Sequence, residues 1–195
     1  YEKEVFTIEK KKELQQFLAS NDQLLFPVFE KPVVSILLLF YNRAELSYDC
    51  LKSIIENVKV AYELVIIDNA SSDETEKLLN KIKGAQIKRN VENLGYVKGC
   101  NQAAQMASSE YLLFFNNDAR LFKGSLEAAL KTICQSNDYG AVGGRVLLLN
   151  GDLQEAGSMV WNDGSCLGYG RDENPDSPEF MFKREVDFCS GVFLL

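Results

Sequence analysis

From residue 33 onward, short apolar runs at 33–40, 64–67, 86–89 and 111–115 alternate with stretches whose apolar residues recur at helical spacing. A run of this length with little polar alternation reads as a strand covered on both faces, and strands separated by helices read as βαβ units around a parallel sheet. Leu46, Cys50, Leu51, Ile54, Ile55 and Val58 form the first helical stripe, Leu78, Leu79 and Ile82 the second, and Ala103, Ala104 and Ala107 the third. The predicted fold class is α/β, with a mostly parallel central sheet and helices on both faces. Ser71 and Glu74 are spaced as a capping box for the second helix. A further helix is expected around 125–134, and residues 162–178 read as an irregular loop. Ahead of this array, residues 7–19 predict a polar helix with an apolar edge at Leu14, Phe17 and Leu18, followed by Pro27 and Pro32. Residues 1–32 are therefore expected to be an N-terminal helical appendage and linker, and 33–195 one domain.

At 195 residues with 46% hydrophobic residues, the chain is long enough for one well-packed core. A net charge of −7 leaves no basic surface for nucleic acid, and Lys10, Lys11 and Lys12 read as the solvated face of a helix. There is no histidine, which excludes His-based triads and His-ligated metals, so any metal must be held by oxygen. The five cysteines are scattered without a C-x-x-C pair and read as packing residues, with Cys50, Cys100 and Cys134 placed in helices. Reduced cysteines and the lack of a leader point to a cytoplasmic location. The longest apolar run is far short of the roughly 20 residues that span a bilayer. The chain begins at Tyr1 and stops inside the apolar run 193–195, so it is expected to be cut from something longer, with any membrane contact left to the missing parts.

Each expected strand delivers polar residues at its carboxyl end, where open α/β sheets bind ligands. These are Tyr41, Asn42 and Arg43, then Asp68 and Asn69, then Asn93 and Gly95, then Asn116, Asn117 and Asp118. Asn-Asn-Asp is also ordinary turn chemistry, but carboxylates at two exits suit one nucleoside contact, Asp68, and one contact to a hard cation, Asp118 with Asn116. Lys98 is a candidate contact to a diphosphate, and Trp161 reads as a core-filling residue. No G-x-G-x-x-G and no G-x-x-x-x-G-K-[ST] follows any strand, which excludes a dinucleotide fingerprint and a P-loop.

Five segments, taken in order, resemble the family 2 glycosyltransferases of GT-A fold, especially the rhamnosyltransferase-like members. They are VSILLLFYNR at 34–43, LVIIDNASSDET at 64–75, NVENLGYVKGCN at 90–101, YLLFFNND at 111–118 and VGGRVLLLNGDLQEAG at 142–157. The resemblance covers about 33–195. It implies transfer of a sugar, with inversion, from a nucleotide-diphosphate sugar donor to a glycan or lipid-linked acceptor, assisted by a divalent cation, Mg²⁺ or Mn²⁺. It implies a nucleoside contact at Asp68 and a donor-side segment at Asn93, Gly95 and Asn101. It also implies a metal contact at Asp118, in a D-x-D whose first position is Asn116. The base that deprotonates the acceptor is implied downstream of DFCSGV at 187–192, beyond Leu195, with Asp187 a candidate acceptor-side contact. The chain is accordingly expected to bind donor and metal and to transfer sugar poorly. Two alternatives stay open: a catalytically inactive nucleotide-sugar-binding or interaction module, and a nucleotidyltransferase, which would carry a glycine-rich loop where this chain has Tyr41, Asn42, Arg43 and Ala44.

Overall fold

The computed structural model describes residues 2–195 and divides into two compact units, one ending at Glu127 and the other spanning Ala128–Leu195. In chain order, the first unit contains α1 (Glu2–Ala19), β1 (Leu24–Leu25), β2 (Val34–Phe40), α2 (Ala44–Asn57), β3 (Tyr62–Asp68), α3 (Thr75–Leu79), β4 (Ile82–Lys83), β5 (Ala85–Arg89), α4 (Tyr96–Met106) and β6 (Tyr111–Asn116). Helix α5 (Ser125–Ile133) runs across the division.

Strands β6, β2, β3 and β5 lie side by side in that order, all parallel. The chain adds β3 and β5 to one side of β2 and then returns to place β6 on the other side. The order therefore reverses between β2 and β6, and such a switch point leaves a crevice at the carboxyl ends of the strands. Register fixes what stands there: Phe40 pairs with Asp68, Asp68 with Arg89, and Leu39 with Asn116. Three strand exits thus reach one level.

Both faces of the sheet are covered, as the apolar runs require. Leu37, Val65 and Ile67 pack with Ala103 of α4, and Leu39, Ala104, Met106, Ala107, Leu112 and Phe114 close around them. The alternate residues Ile36, Leu38, Phe40, Leu64, Ile66, Leu113 and Phe115 fill the other face and are buried. At the amino edge, Glu63 accepts hydrogen bonds from Ser35 Oγ, Ser108 N, Ser108 Oγ and Ser109 Oγ, which ties the α4–β6 turn to the sheet.

Several local expectations are corrected. The run at 86–89 is a strand, but an exposed edge rather than a covered one. Ile82 leaves the second helical stripe, because α3 ends at Leu79 and Ile82 pairs with Leu24 in a short parallel ladder. The capping box does not form: Asp73 Oδ1 accepts from Thr75 N instead, and Ser71 Oγ accepts from Asn42 N. Lys10 is no solvated lysine; it is buried, with Nζ 2.8 Å from Glu13 and 3.0 Å from Asp49 of α2. Phe17 of α1 stacks on Tyr48 of α2 with ring centres 4.6 Å apart.

The second unit contains two antiparallel pairs, β7 (Val146–Leu147) with β8 (Leu153–Glu155) and β9 (Ser158–Val160) with β10 (Cys166–Gly168). It also holds a 3₁₀ turn at Pro178–Phe180 and β11 (Phe193–Leu194). The hairpin β9–β10 occupies the start of the expected 162–178 loop, because Asp163 accepts from Ser165 N and Oγ and closes a tight turn. Trp161 lies at this turn and is 54% exposed, so it does not fill the core. Cys134 lies just past α5 and is exposed, unlike buried Cys50.

Candidate functional site

The turns that follow β2 and β3 are held in conformations that cost side-chain-bearing residues energy. Asn42, Arg43 and Ala70 have φ of 58°, 59° and 66°. Cross-bonds between the two turns sustain them: Asn42 Oδ1 accepts from Ser72 N at 2.8 Å, and Asp73 Oδ2 accepts from Ala44 N, the first residue of α2, at 2.9 Å. Non-glycine residues persist in such regions only where the surroundings over-determine them, and they cluster at functional sites.

Asp68 ends β3 and is fully buried. Its Oδ1 accepts from Ser71 N at 2.9 Å. Arg89 Nε lies 3.0 Å from Oδ2 but off the line of a hydrogen bond, so the contact is electrostatic and Oδ2 remains a buried acceptor without a directed donor. Such an atom is costly to leave unmatched, and a donor group on a ligand would relieve it. Arg89 also donates to Ser71 O and pairs with Glu76. With Ala70, Ser71, Asn90 and Val91 it lines a hollow of about 470 Å³.

A second cleft, of about 330 Å³, is lined by Leu39 of β2 and Tyr41 just past it, Asn69 after β3, Asn93, Gly95 and Tyr96 before and in α4, and Asn116 at the end of β6 with Asn117 and Asp118 after it. This is the crevice at the reversal of strand order. Asn69 organises it: its Oδ1 accepts from Leu94 N and Asn90 Nδ2, each at 3.0 Å, and its Nδ2 donates to Asn93 Oδ1 at 2.7 Å. Asn93 in turn accepts from Gly95 N at 2.8 Å, and Gly95 enters α4 with φ 79°, which favours glycine. Gly99, one turn into α4, lets the helix approach β2, since a Cβ there would lie 2.4 Å from Leu39 Cδ1. Burial, with the Cys100 thiol nearby, pushes the Tyr96 hydroxyl up to about 12, so at neutral pH it carries its proton.

Asn117 Nδ2 donates to Ser47 Oγ at 2.8 Å, and the Asn117 amide oxygen accepts no hydrogen bond among the described residues. Asp118 is exposed, and its carboxylate makes no hydrogen bond or ion pair among them. No cluster of three His, Cys, Asp or Glu side chains able to hold a metal occurs among the described residues. One carboxylate and two neighbouring amides are nevertheless oxygen donors of the kind a hard cation takes when phosphate oxygens and water complete its shell. The donor set fits Mg²⁺ or Mn²⁺ held jointly with a ligand.

Of the residues expected from the sequence, the cleft gathers Tyr41, Asn93, Gly95, Asn116, Asn117 and Asp118. Asp68 stands buried at the neighbouring strand exit. Asn42 and Arg43 shape the β2–α2 turn and do not line the cleft, Arg43 pairing with Glu45 at 3.1 Å. Lys98 and Asn101 lie exposed on α4, outside the lining. Asp187, in the second unit, is exposed and its Oδ2 accepts from Val160 N at 2.8 Å. Sequence reasoning passed over Arg89 and Tyr96; the only signals were their places at the end of β5 and directly after Gly95.

Among the described residues, no helix is long and apolar enough to cross a membrane. The model of glycosyl transferase family 2 matches residues 35–176. The O-antigen biosynthesis protein RfbC of Myxococcus xanthus is 31% identical over 139 residues, covering 69% of this chain and 11% of that protein. The putative teichuronic acid biosynthesis glycosyltransferase TuaG of Bacillus subtilis is 28% identical over 105 residues, covering 52% of this chain and 42% of that one. The chain thus spans less than half the length of either relative. Among solved structures, the mannosyltransferase PcManGT of Pyrobaculum calidifontis, in complex with GDP-Man and Mn²⁺, aligns with a TM-score of 0.53 at 21% identity, covering 74% of this chain and 43% of that one. The fold is of the GT-A type, and the chain belongs to glycosyl transferase family 2.

Proposed function

We propose that the chain supplies the donor-binding part of an inverting, metal-assisted glycosyltransferase that moves a sugar from a nucleoside-diphosphate sugar to a glycan or lipid-linked acceptor. The observation that carries this reading is the pairing of two carboxylates at one sheet edge, Asp68 buried with an unmatched oxygen and Asp118 exposed beside two amides. Asp68 Oδ2 accepts a donor N–H or O–H of the nucleoside, with the Arg89 Nε 3.0 Å away. Asp118, with Asn116 and Asn117, would hold the cation. A divalent cation bound there would supply positive charge to offset that developing on the leaving nucleoside diphosphate. Tyr41 and Tyr96 flank the cleft, and Tyr96 presents a protonated hydroxyl. The described lining contains one carboxylate, Asp118, and this favours as second reading a module that binds nucleotide sugar without transferring it.

Thermal-shift and calorimetric titration with UDP, dTDP and GDP sugars, with and without Mn²⁺ or Mg²⁺, tests the donor site. A ligand that binds the native state raises stability by about 2.7 kcal/mol at a hundredfold excess over Kd. One nucleotide is expected to bind in a metal-dependent way, and Asp118→Ala to abolish that dependence. Binding that ignores both metal and Asp118 sinks the metal assignment. Transfer to added acceptors by the chain itself overturns the module reading.

A further inference from the structure

The segment that carries Asp118 is held to helix α2 at successive points. Cys50 Sγ lies 3.6 Å from Asn116 O, and Asn117 Nδ2 donates to Ser47 Oγ at 2.8 Å. Leu121 N donates to Ser53 Oγ at 3.0 Å, and Asn57 Nδ2 donates to Leu121 O at 2.9 Å. Between these anchors, Arg120 Nη1 meets Asp49 at 3.2 Å and 3.3 Å from its two oxygens. Asp49 is only 2% exposed and also faces Lys10 of α1, so one buried carboxylate joins the N-terminal helix, α2 and the residue two places past Asp118. A buried ionic contact of this kind is a weak source of stability, since apolar residues would pack α1 on α2 as well. What the charge adds is direction: it fixes where Arg120 points, and with it the path of the 116–120 turn.

We infer that Asp49 is a positioning residue for the cation site, setting the Asn116–Asp118 turn through Arg120 and braced by Lys10 of α1. The inference rests on the donor-site reading of Asp118. Supporting groups around metal ligands typically change metal affinity 10- to 100-fold when removed.

Mn²⁺ is titrated by EPR against the chain saturated in turn with UDP, dTDP and GDP. Asp49→Asn and Arg120→Gln are each expected to weaken Mn²⁺ binding about tenfold while leaving metal-free nucleotide binding unchanged. Lys10→Gln, from the far side of Asp49, weakens it in the same direction by a smaller factor. Arg120 is 47% exposed at its side chain, so its variant folds even where Asp49→Asn does not, and it carries the test in that event. Glu63→Gln, at the opposite edge of the sheet, is the control: it lowers the melting temperature without moving Mn²⁺ affinity. Arg120→Gln and Lys10→Gln proteins that bind Mn²⁺ as tightly as the unaltered chain overturn the inference. An unaltered chain that binds no Mn²⁺ with any of the nucleotides overturns the donor-site reading, and the inference with it, before any variant is compared.

Discussion

A single amide, Asn69, ties three segments together: the β3 exit to which it belongs, Asn90 after β5, and the Asn93–Gly95 turn that opens α4. It is 2% exposed, and its removal strands Leu94 N in a half-buried setting and leaves Asn90 Nδ2 with Gln102 Oε1 as its acceptor. Leaving such a donor unmatched costs about 1–3 kcal/mol, so Asn69→Ala is expected to lower the free energy of unfolding by that amount, read as a lower urea midpoint at unchanged denaturant slope. Its nucleotide affinity falls as well, because the Asn93–Gly95 turn loses its template. A loss below about 0.5 kcal/mol would show that water replaces the amide. The residue itself was legible as a turn-former after a strand, but its bonds reach 21, 24 and 25 residues along the chain, and no local pattern encodes partners that distant. The same holds for Gly99, whose need for closeness to Leu39 exists only once α4 lies on β2.

At the scale of elements, helices α2 and α3 share one cap. Asp73 Oδ2 accepts from Ala44 N, while Oδ1 accepts from Thr75 N and Thr75 Oγ1. Arg43, in the capping position of α2, makes no side-chain capping bond, so α2 borrows its first acceptor from the turn that opens α3. Capping side chains contribute about 1 kcal/mol each. Asp73→Ala is expected to cost about 1–2 kcal/mol in urea unfolding, since both helices lose an acceptor, whereas Ser71→Ala leaves the capping of α3 intact. Faster amide exchange at the starts of both helices in Asp73→Ala, and not at α3 alone, distinguishes the shared cap from a single one. In the run Ser71, Ser72, Asp73, Glu74 the sequence announced a helix start but not which side chain serves it, because half of the answer lies at Ala44. Strands β2, β3 and β6 were legible for the opposite reason: cover by neighbouring elements leaves an apolar signature within each run, which the exposed edge strand β5 lacks.

For the molecule as a whole, the apolar runs and polar exits carried the parallel sheet and the edge of it where the cleft lies, since both follow from patterns repeated along the chain. The hairpins of the second unit, where glycines and turn residues replace periodicity, left no comparable trace. The charge pattern makes a further global statement. Burial alone would raise the pKa of Glu63, but hydrogen bonds from Ser35, Ser108 and Ser109 hold it below its ordinary value. Hydrogen bonds from Lys10 and Lys52 lower Glu13, and bonds from Thr75 and Ala44 outweigh burial to lower Asp73. Groups lowered in the folded state contribute stability that is present above their unfolded values and lost as pH falls through the folded ones. On the alkaline side, burial pushes Cys50 well up and Tyr62 to about 12, and Lys10 is raised because Glu13 and Asp49 outweigh its desolvation. Raised groups stabilise fully below their unfolded values, and that contribution disappears as pH rises through the folded ones. With no histidine, no side chain of ordinary pKa titrates between these limbs. The urea midpoint is therefore expected to be flat from about pH 5 to about pH 8.5 and to fall on both sides. Glu63→Gln should shrink the acid limb and leave the alkaline one in place, because the glutamine at that position no longer titrates. A midpoint that drifts steadily across neutral pH would mean that the carboxylate bonds of Glu13, Glu63 and Asp73 do not set the acid limit.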